Sequence, residues 1–211
     1  MSGNLDLSMM YAMHDALRRD LEHITRISAR ADDDPRRLLA SALGWELFKK
    51  ALHIHHSAED EALWPVMRDL VGERADDLAL LDAMEAEHAR IDPLIDSIDA
   101  ALADPETAPE RIAAGTDALA TALTAHLKHE ESEGLPLVDA KMSQEQWQHY
   151  GLVHSEKGGP ETPRLIPWVL DGADEKLATS MLSLMPEPVR ALYLGQWQPA
   201  YAALTKWPTT P

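Results

Sequence analysis

Two segments of the chain, HHSAEDEALWP from His55 and HLKHEESEGLP from His126, carry the same polar pattern. In each, a histidine is followed four residues later by a glutamate and then by another acid, and a proline closes the segment. Two earlier segments, MYAMHDALRRDLEHI and MEAEHARIDPLIDSI, also align and place His14 on His88. The chain is therefore a duplicated pair of helical segments, each half of the form H … HxxxE.

Apolar residues recur at alternating spacings of three and four, which predicts four helices with inward-facing seams. A break at Asp32–Pro35 separates the first two, and we expect Asp34 to cap a helix that begins at Pro35. The predicted fold class is all-α, an up-down-up-down four-helix bundle with a C-terminal helical extension. The inward residues are predicted as Met10, His14, Leu17, Leu21, Ile24 and Ser28; Phe48, Leu52, His55, Glu59, Ala62 and Val66; Leu81, Met84, His88, Ile91, Ile95, Ile98 and Leu102; and Ile112, Leu119, Leu123, His126, Glu130 and Leu137.

The polar residues of these seams predict a metal site. Residues four apart share a helix face, so HxxxE presents an imidazole and a carboxylate together. Two buried carboxylates without partners would be strongly unfavourable, and cations resolve that conflict. Imidazole with carboxylate suits iron, manganese or zinc. The predicted ligands are His14, His55, Glu59, His88, His126 and Glu130.

The neighbouring polar residues have no assigned chemistry at this stage. His53, His56 and His129 flank the ligand positions, and we expect them to face solvent or to support the ligands. The acids next to the glutamates are interpreted as a solvated face: Asp60, Glu61, Glu131 and Glu133.

The pattern H-HxxxE-H-HxxxE, with Pro65 and Pro136 closing the second and fourth helices, resembles the hemerythrin-like (HHE cation-binding) family, bacterial subgroup. The resemblance covers roughly residues 8 to 142. It implies a four-helix bundle that holds two non-haem iron ions joined by an oxo or hydroxo bridge, with manganese or zinc as alternatives. It also implies that Glu59 and Glu130 bridge the metals and that the four histidines are terminal ligands. A ferritin-like site would need two ExxH motifs, and only Glu85–His88 matches one.

The chain departs from oxygen-carrying hemerythrins at two places. Met84 stands where those proteins have a fifth histidine, and the fourth helix has HxxxE in place of HxxxxD. Four histidines, two bridging carboxylates and an oxide fill about ten of about twelve octahedral positions. The remaining positions are either open or taken by another ligand. Tyr11 and Glu85 are the candidates, either as an extra ligand or as a group that supports the ligands.

The amino-acid composition argues against several classes of binding partner and kinds of site. The net charge of −17 argues against nucleic acid and anionic membranes. Cysteine is absent, which excludes thiolate metal sites and disulfides. The N-terminal MSGNLDLSMM has no basic region followed by an apolar run, so the expected location is the cytoplasm.

The amino-acid composition changes at residue 143, after which tryptophan and proline are frequent. This change predicts a bundle domain over 1–142 and a tryptophan- and proline-rich helical extension over 143–211. Ser143 and Gln146 form the pattern of a capping box at the start of that extension. We expect the extension to pack against the bundle. A lid over the site and a homodimer surface are the alternatives.

The resemblance implies binding, and in our interpretation turnover, of a small oxidant such as hydrogen peroxide, dioxygen or nitric oxide. A carrier or sensor of dioxygen or nitric oxide without turnover, and iron storage or delivery, are the alternatives.

Overall fold

The computed structural model describes residues 5–29, 34, 36 and 39–208, and within these ranges the regular structure is helical throughout. The bundle comprises α1 (Ser8–Ser28), α2 (Leu43–Ala58), α3 (Trp64–Val71), α4 (Ala75–Ala103), α5 (Pro109–His129) and α6 (Leu135–Lys141). Two π-helical turns, Glu59–Leu63 and Glu130–Gly134, join α2 to α3 and α5 to α6. The predicted all-α class is confirmed.

The helices close into a four-membered bundle. The second member is α2 continued through its π turn into α3, and the fourth is α5 continued into α6. The first member packs on the second and the fourth, and the third packs on the second and the fourth. The break predicted at Asp32–Pro35 lies between the first two members. Pro35, the predicted first residue of a helix, lies outside the described residues. The Asp34 carboxylate accepts a hydrogen bond from the backbone N–H of Arg36 at 3.0 Å.

The two π turns occupy equivalent places in the repeat, and both are explained by the proline that follows. Pro65 and Pro136 have no N–H to donate to the carbonyl four residues back, and their rings would clash with it. A widened turn avoids that clash: the N–H of Trp64 binds the carbonyl of Glu59, and Leu135 binds Glu130, each five residues back.

Each π turn shifts the inward face by one residue, which corrects the predicted seams. Val66 and Leu137 were predicted to point inward, but both are only half-buried. The fully buried residues beyond the glutamates are instead Trp64 and Met67 in α3, and Leu135 and Val138 in α6.

The extension comprises α7 (Gln144–Gly158), α8 (Thr162–Leu170), α9 (Glu175–Leu184), α10 (Glu187–Leu192) and α11 (Gln198–Ala202). A 3₁₀ turn, Gly159–Glu161, precedes α8, and a third π turn, Tyr193–Trp197, precedes α11. The capping box of Ser143 and Gln146 is confirmed, since both of its hydrogen bonds are present.

The extension packs on the bundle and shares its core. Helix α7 lies against α2 and its π turn, and α8 lies against α1 and α2. The fully buried Trp168 of α8 donates its indole N–H to Asp20 of α1 at 2.6 Å. A domain boundary at residue 142 stays a prediction. Among the described residues, no helix is both long enough and apolar enough to cross a membrane.

Candidate metal centre

All six predicted ligands lie in the interior of the bundle. Each is at most 2% exposed, and the two glutamates are completely buried. His14 comes from α1, His55 from α2, His88 from α4 and His126 from α5, while each glutamate begins a π turn. The structure thus brings the six side chains together, one histidine from each member of the bundle.

The four histidines form two pairs with facing nitrogens. Nε2 of His14 lies 3.0 Å from Nε2 of His55, and Nε2 of His88 lies 3.1 Å from Nε2 of His126. Two nitrogens each about 2.1 Å from one ion, at right angles to each other, would also lie about 3 Å apart. Each pair therefore has the spacing of two neighbouring ligands of one metal ion.

Each glutamate lies between the two pairs. Glu59 is 3.5 Å from Nδ1 of His55 in one pair and 3.5 Å from Nε2 of His88 in the other. Glu130 is 3.2 Å from Nε2 of His14 and 3.9 Å from Nε2 of His126. None of the four carboxylate oxygens accepts a hydrogen bond from the described part of the chain.

Three outer carboxylates fix the orientation of three of the histidines. Nδ1 of His14 lies 2.9 Å from Glu131, Nδ1 of His88 lies 2.8 Å from Asp60, and Nδ1 of His126 lies 3.0 Å from Glu87. An ionised carboxylate can only accept, so Nδ1 donates, and in the neutral ring Nε2 is left to carry the lone pair. This is the arrangement that orients metal-binding histidines in proteins.

These contacts correct one interpretation of the sequence. Asp60 and Glu131 were assigned to a solvated acidic face, yet each binds a histidine of the opposite half of the repeat. Glu61 and Glu133 do belong to that face, with side chains 64% and 62% exposed. Glu87 has no counterpart in the first half, where Met13 occupies the equivalent position.

The electrostatics of the site reflect its burial. Burial and the charge of Glu130 raise the pKa of Glu59 well above the usual range. Burial alone would lower the pKa of His14, but Glu130 and Glu131 outweigh it and raise the pKa to about 9. Burial would likewise raise the pKa of Glu131, but hydrogen bonds from His14 and Arg18 lower it to about 2. Without a metal, proton uptake by Glu59 and His14 thus limits the negative charge of the interior, and cations could take the place of those protons.

His56 is a fifth histidine in the interior, which the sequence interpretation missed. It was expected to face solvent or to support the ligands, but it is 2% exposed, and neither ring nitrogen has a hydrogen-bond partner among the described residues. Its ring stacks on His88, with centroids 3.9 Å apart, and its nitrogens lie within 4.8 Å of those of His88 and His126. The α-helical register hides it because His56 is adjacent to His55 and on a different face.

The two candidates for an extra ligand lie elsewhere. Tyr11 is 41% exposed, and Glu85 forms an ion pair with Arg68 at 2.8 Å. The structure brings neither of them into the group of buried histidines and glutamates. Met84, at the place of the missing fifth histidine, is fully buried in the apolar cluster of Trp64 and Met67.

The C-terminal extension supplies two further polar groups beside the site. Tyr150 of α7 is 5% exposed, and burial together with the charges of Glu59 and Glu130 raises its pKa well above 10. His154, one turn later, lies edge-on to His55 with ring centroids 6.2 Å apart, and burial lowers its pKa to about 4. Their spacing of four along α7 was the available sequence signal.

A cavity of about 290 Å³ separates α1 and α2 from α7, α8 and α9 and reaches His55. Its walls include Met9, Met13, Tyr150, His154 and Leu165. Access to the site from this side is therefore through an apolar space that the extension helps to enclose.

The donor set fits a metal centre. Two groups of ligand atoms, one from His14, His55, Glu59 and Glu130 and one from His56, His88 and His126, each lie within 4.8 Å. They offer imidazole nitrogens and carboxylate oxygens, which suit divalent iron, manganese and zinc. A four-helix bundle with such a centre belongs to the class of metal-binding bundles.

Comparison with protein families agrees with this class: residues 5–138 match the hemerythrin HHE cation-binding domain. The chain therefore belongs to the hemerythrin HHE cation-binding family, as the resemblance predicted. Comparison with curated proteins and with solved structures gave no significant match.

Proposed function

We propose that the chain holds two metal ions, iron in the first place, and uses them to bind and turn over a small oxidant such as hydrogen peroxide, dioxygen or nitric oxide. The observation that carries this proposal is the pair of completely buried carboxylates, Glu59 and Glu130, whose oxygens accept no hydrogen bond among the described residues. Such groups are strongly unfavourable unless a cation compensates them.

The positions of the glutamates support a bridging role. Each has one histidine of either pair within 4 Å, as a carboxylate shared between two ions would require. One ion would take His14 and His55, and the other would take His88 and His126.

The charge around the site supports two divalent ions. Five carboxylates surround or enter the site, whereas Arg18 is bound to Glu131 at 2.8 Å and Arg90 lies 3.9 Å from Glu87. Acids therefore outnumber these arginines, and metal cations would compensate the excess negative charge. Iron ions there would supply the one-electron chemistry that an oxidant requires.

We assign His56 as the extra ligand, in place of Tyr11 and Glu85. It is buried beside His88 and His126 and has no other partner for its nitrogens in the described part of the chain. With five histidines, two bridging carboxylates and an oxide, about eleven of about twelve positions are filled. One position then remains for the oxidant.

The chain's own residues hold protons and exclude water. Asp60, Glu87 and Glu131 keep the proton of their histidines on Nδ1. Tyr150, with its raised pKa, stays a neutral phenol near the carboxylates. Every ligand is at most 2% exposed, which favours a small oxidant over a large substrate at the metals.

Binding of dioxygen or nitric oxide without turnover is the second candidate. The apolar cavity that reaches His55 favours it, because neutral diatomic gases partition into apolar spaces.

The test is oxygen evolution from hydrogen peroxide by iron-loaded protein. We expect turnover in the parent chain and in Glu133→Gln, whose side chain is 62% exposed, and loss of turnover in Glu130→Ala and His126→Ala. A stable, reversible adduct with dioxygen or nitric oxide and no consumption of peroxide would instead establish the second candidate.

A further inference from the structure

The cavity between the bundle and the extension is far larger than a diatomic gas or peroxide needs. At about 290 Å³ it is roughly twice the size of the cavity of about 150 Å³ that suffices for benzene in another protein. It is lined by helices from both parts of the chain, so it exists only because the extension packs on the bundle.

We propose that this cavity binds a neutral, mostly apolar organic molecule about the size of two fused rings, with one hydrogen-bonding group. This binding site lies beside the buried metal ligands, of which His55 reaches its lining, and it goes beyond the proposed reaction with small oxidants. The proposal rests on the cavity and its lining, and the proposed metal chemistry is not needed for it.

The lining sets the charge of the ligand. The chain carries a net charge of −17, yet among the described residues no aspartate, glutamate, lysine or arginine lines the cavity. An ionised ligand would leave water for a space without a counter-charge, at a high cost. A neutral ligand avoids this cost.

The lining also determines which ligand shapes the cavity can accept. Four methionines, Met9, Met10, Met13 and Met181, contribute to the walls. Methionine side chains are unbranched and polarisable, and they adapt to irregular apolar shapes and contact aromatic rings favourably. The wall therefore suits a flat, apolar ligand.

A few polar groups converge on the cavity and would fix the orientation of the ligand. Tyr150 and His154 lie on one face of α7, and the side chains of Ser155 and Thr162 also reach the lining. The imidazole of His154 and the hydroxyl groups of Tyr150, Ser155 and Thr162 are all able to form hydrogen bonds with a ligand. An apolar pocket with a small number of polar groups is the usual form of a small-molecule site.

The test is calorimetric titration of the full chain as purified with 2-naphthol and with naphthalene-2-sulfonate, which is similar in size but charged. We expect saturable binding of one 2-naphthol per chain and affinity at least about tenfold weaker for the sulfonate. The titration measures binding and needs no turnover, so failure of the oxidant chemistry would leave this result intact, and the reverse also holds.

Gly151 allows the cavity to be filled by mutation. It belongs to the lining, and a Cβ added there meets no atom within 4 Å. We expect Gly151→Phe to weaken 2-naphthol binding at least about tenfold while circular dichroism and thermal unfolding confirm the fold. Gly195→Phe is the matched control, since Gly195 also has open space around it but lies outside the lining.

Three results would overturn the proposal. They are the absence of saturable 2-naphthol binding, equal affinity for the sulfonate, and an unchanged affinity in Gly151→Phe. Binding of xenon without binding of 2-naphthol would also contradict it, and would identify the cavity as a gas passage.

Discussion

The Asp60 carboxylate accepts a hydrogen bond from Nδ1 of His88 at 2.8 Å, across the two halves of the repeat. Its counterpart, Glu131, does the same for His14 at 2.9 Å. The acid that follows each HxxxE motif thus orients the single histidine of the opposite half. The duplication therefore includes the supporting groups as well as the predicted ligands.

Loss of an orienting carboxylate should weaken metal binding without removing a ligand. We expect Glu131→Gln to lower metal affinity about 10- to 100-fold, because His14 then loses the charged acceptor that fixes its Nδ1 proton. Competition with a chromophoric chelator measures the change. Glu133→Gln, three residues beyond Glu130 and largely exposed, should leave the affinity unchanged. Equal losses in both variants would refute a specific role for Glu131.

Replacement of His56 tests the fifth histidine. His56→Phe keeps a ring that can stack on His88 but removes both nitrogens, so we expect the chain to stay folded and the affinity for one of its two ions to fall. A stepwise cobalt titration followed by absorption separates the two ions. His53→Phe is the control because His53 is exposed. If His56→Phe binds both ions as the parent does, His56 serves only as a packing residue.

The half-buried His154 should make stability depend on pH. The unfolded chain takes up a proton at this histidine near pH 6.5 and the folded chain only near pH 4. Unfolding is therefore favoured as pH falls from 6.5 to 4, and the contribution of His154 to stability is complete above that window. We expect the free energy of unfolding at pH 4 to be lower by up to about 3 kcal/mol because of His154.

Urea unfolding of metal-free parent protein and of His154→Phe, at pH values from 7.5 to 4.5, isolates this contribution. The other buried histidines act in both proteins, so the difference between them reports on His154. A difference in free energy of unfolding that does not change with pH would contradict a lowered pKa.

The contact of Trp168 with Asp20 should anchor the extension on the bundle. Trp168→Phe leaves a buried carboxylate without its indole donor, so we expect the free energy of unfolding to fall by about 2 kcal/mol or more. Trp147→Phe is the control, because its indole donates to a backbone carbonyl at an exposed position, and it should cost less than about 1 kcal/mol. Similar losses in both variants would argue against Trp168 as the anchor.

The fold and the shared interior position of the six predicted ligands could be predicted from the sequence because they are encoded in short helical spacings. His55 and Glu59 share a face whatever surrounds them, and the second copy at His126 and Glu130 repeats the pattern. Histidines and glutamates stand at equivalent positions on four otherwise apolar helix faces, which predicts that their side chains meet in one interior site.

The inward residues beyond the glutamates could not be read with the same rule. The rule assumes α-helical geometry, and Pro65 and Pro136 replace one α turn with a π turn in each half. A proline six residues after each glutamate was the available signal, since it removes a donor from the helix.

The side chains that lie beside the site without belonging to the repeated motif also could not be predicted from the sequence. His56 enters the interior from a face that helical periodicity assigns to the flank, and Tyr150 and His154 arrive on a helix of the extension. Their positions follow from packing between distant segments, which no local spacing records.

The metal content of the protein tests the central claim most directly. We expect chain purified without added metal, or reconstituted with ferrous ion, to contain two ions per chain by elemental analysis. We expect Glu59→Gln combined with Glu130→Gln to lose both, and Glu61→Gln combined with Glu133→Gln to retain them. A parent chain that binds no ion, or a Glu59→Gln, Glu130→Gln chain that still binds two, would contradict the account.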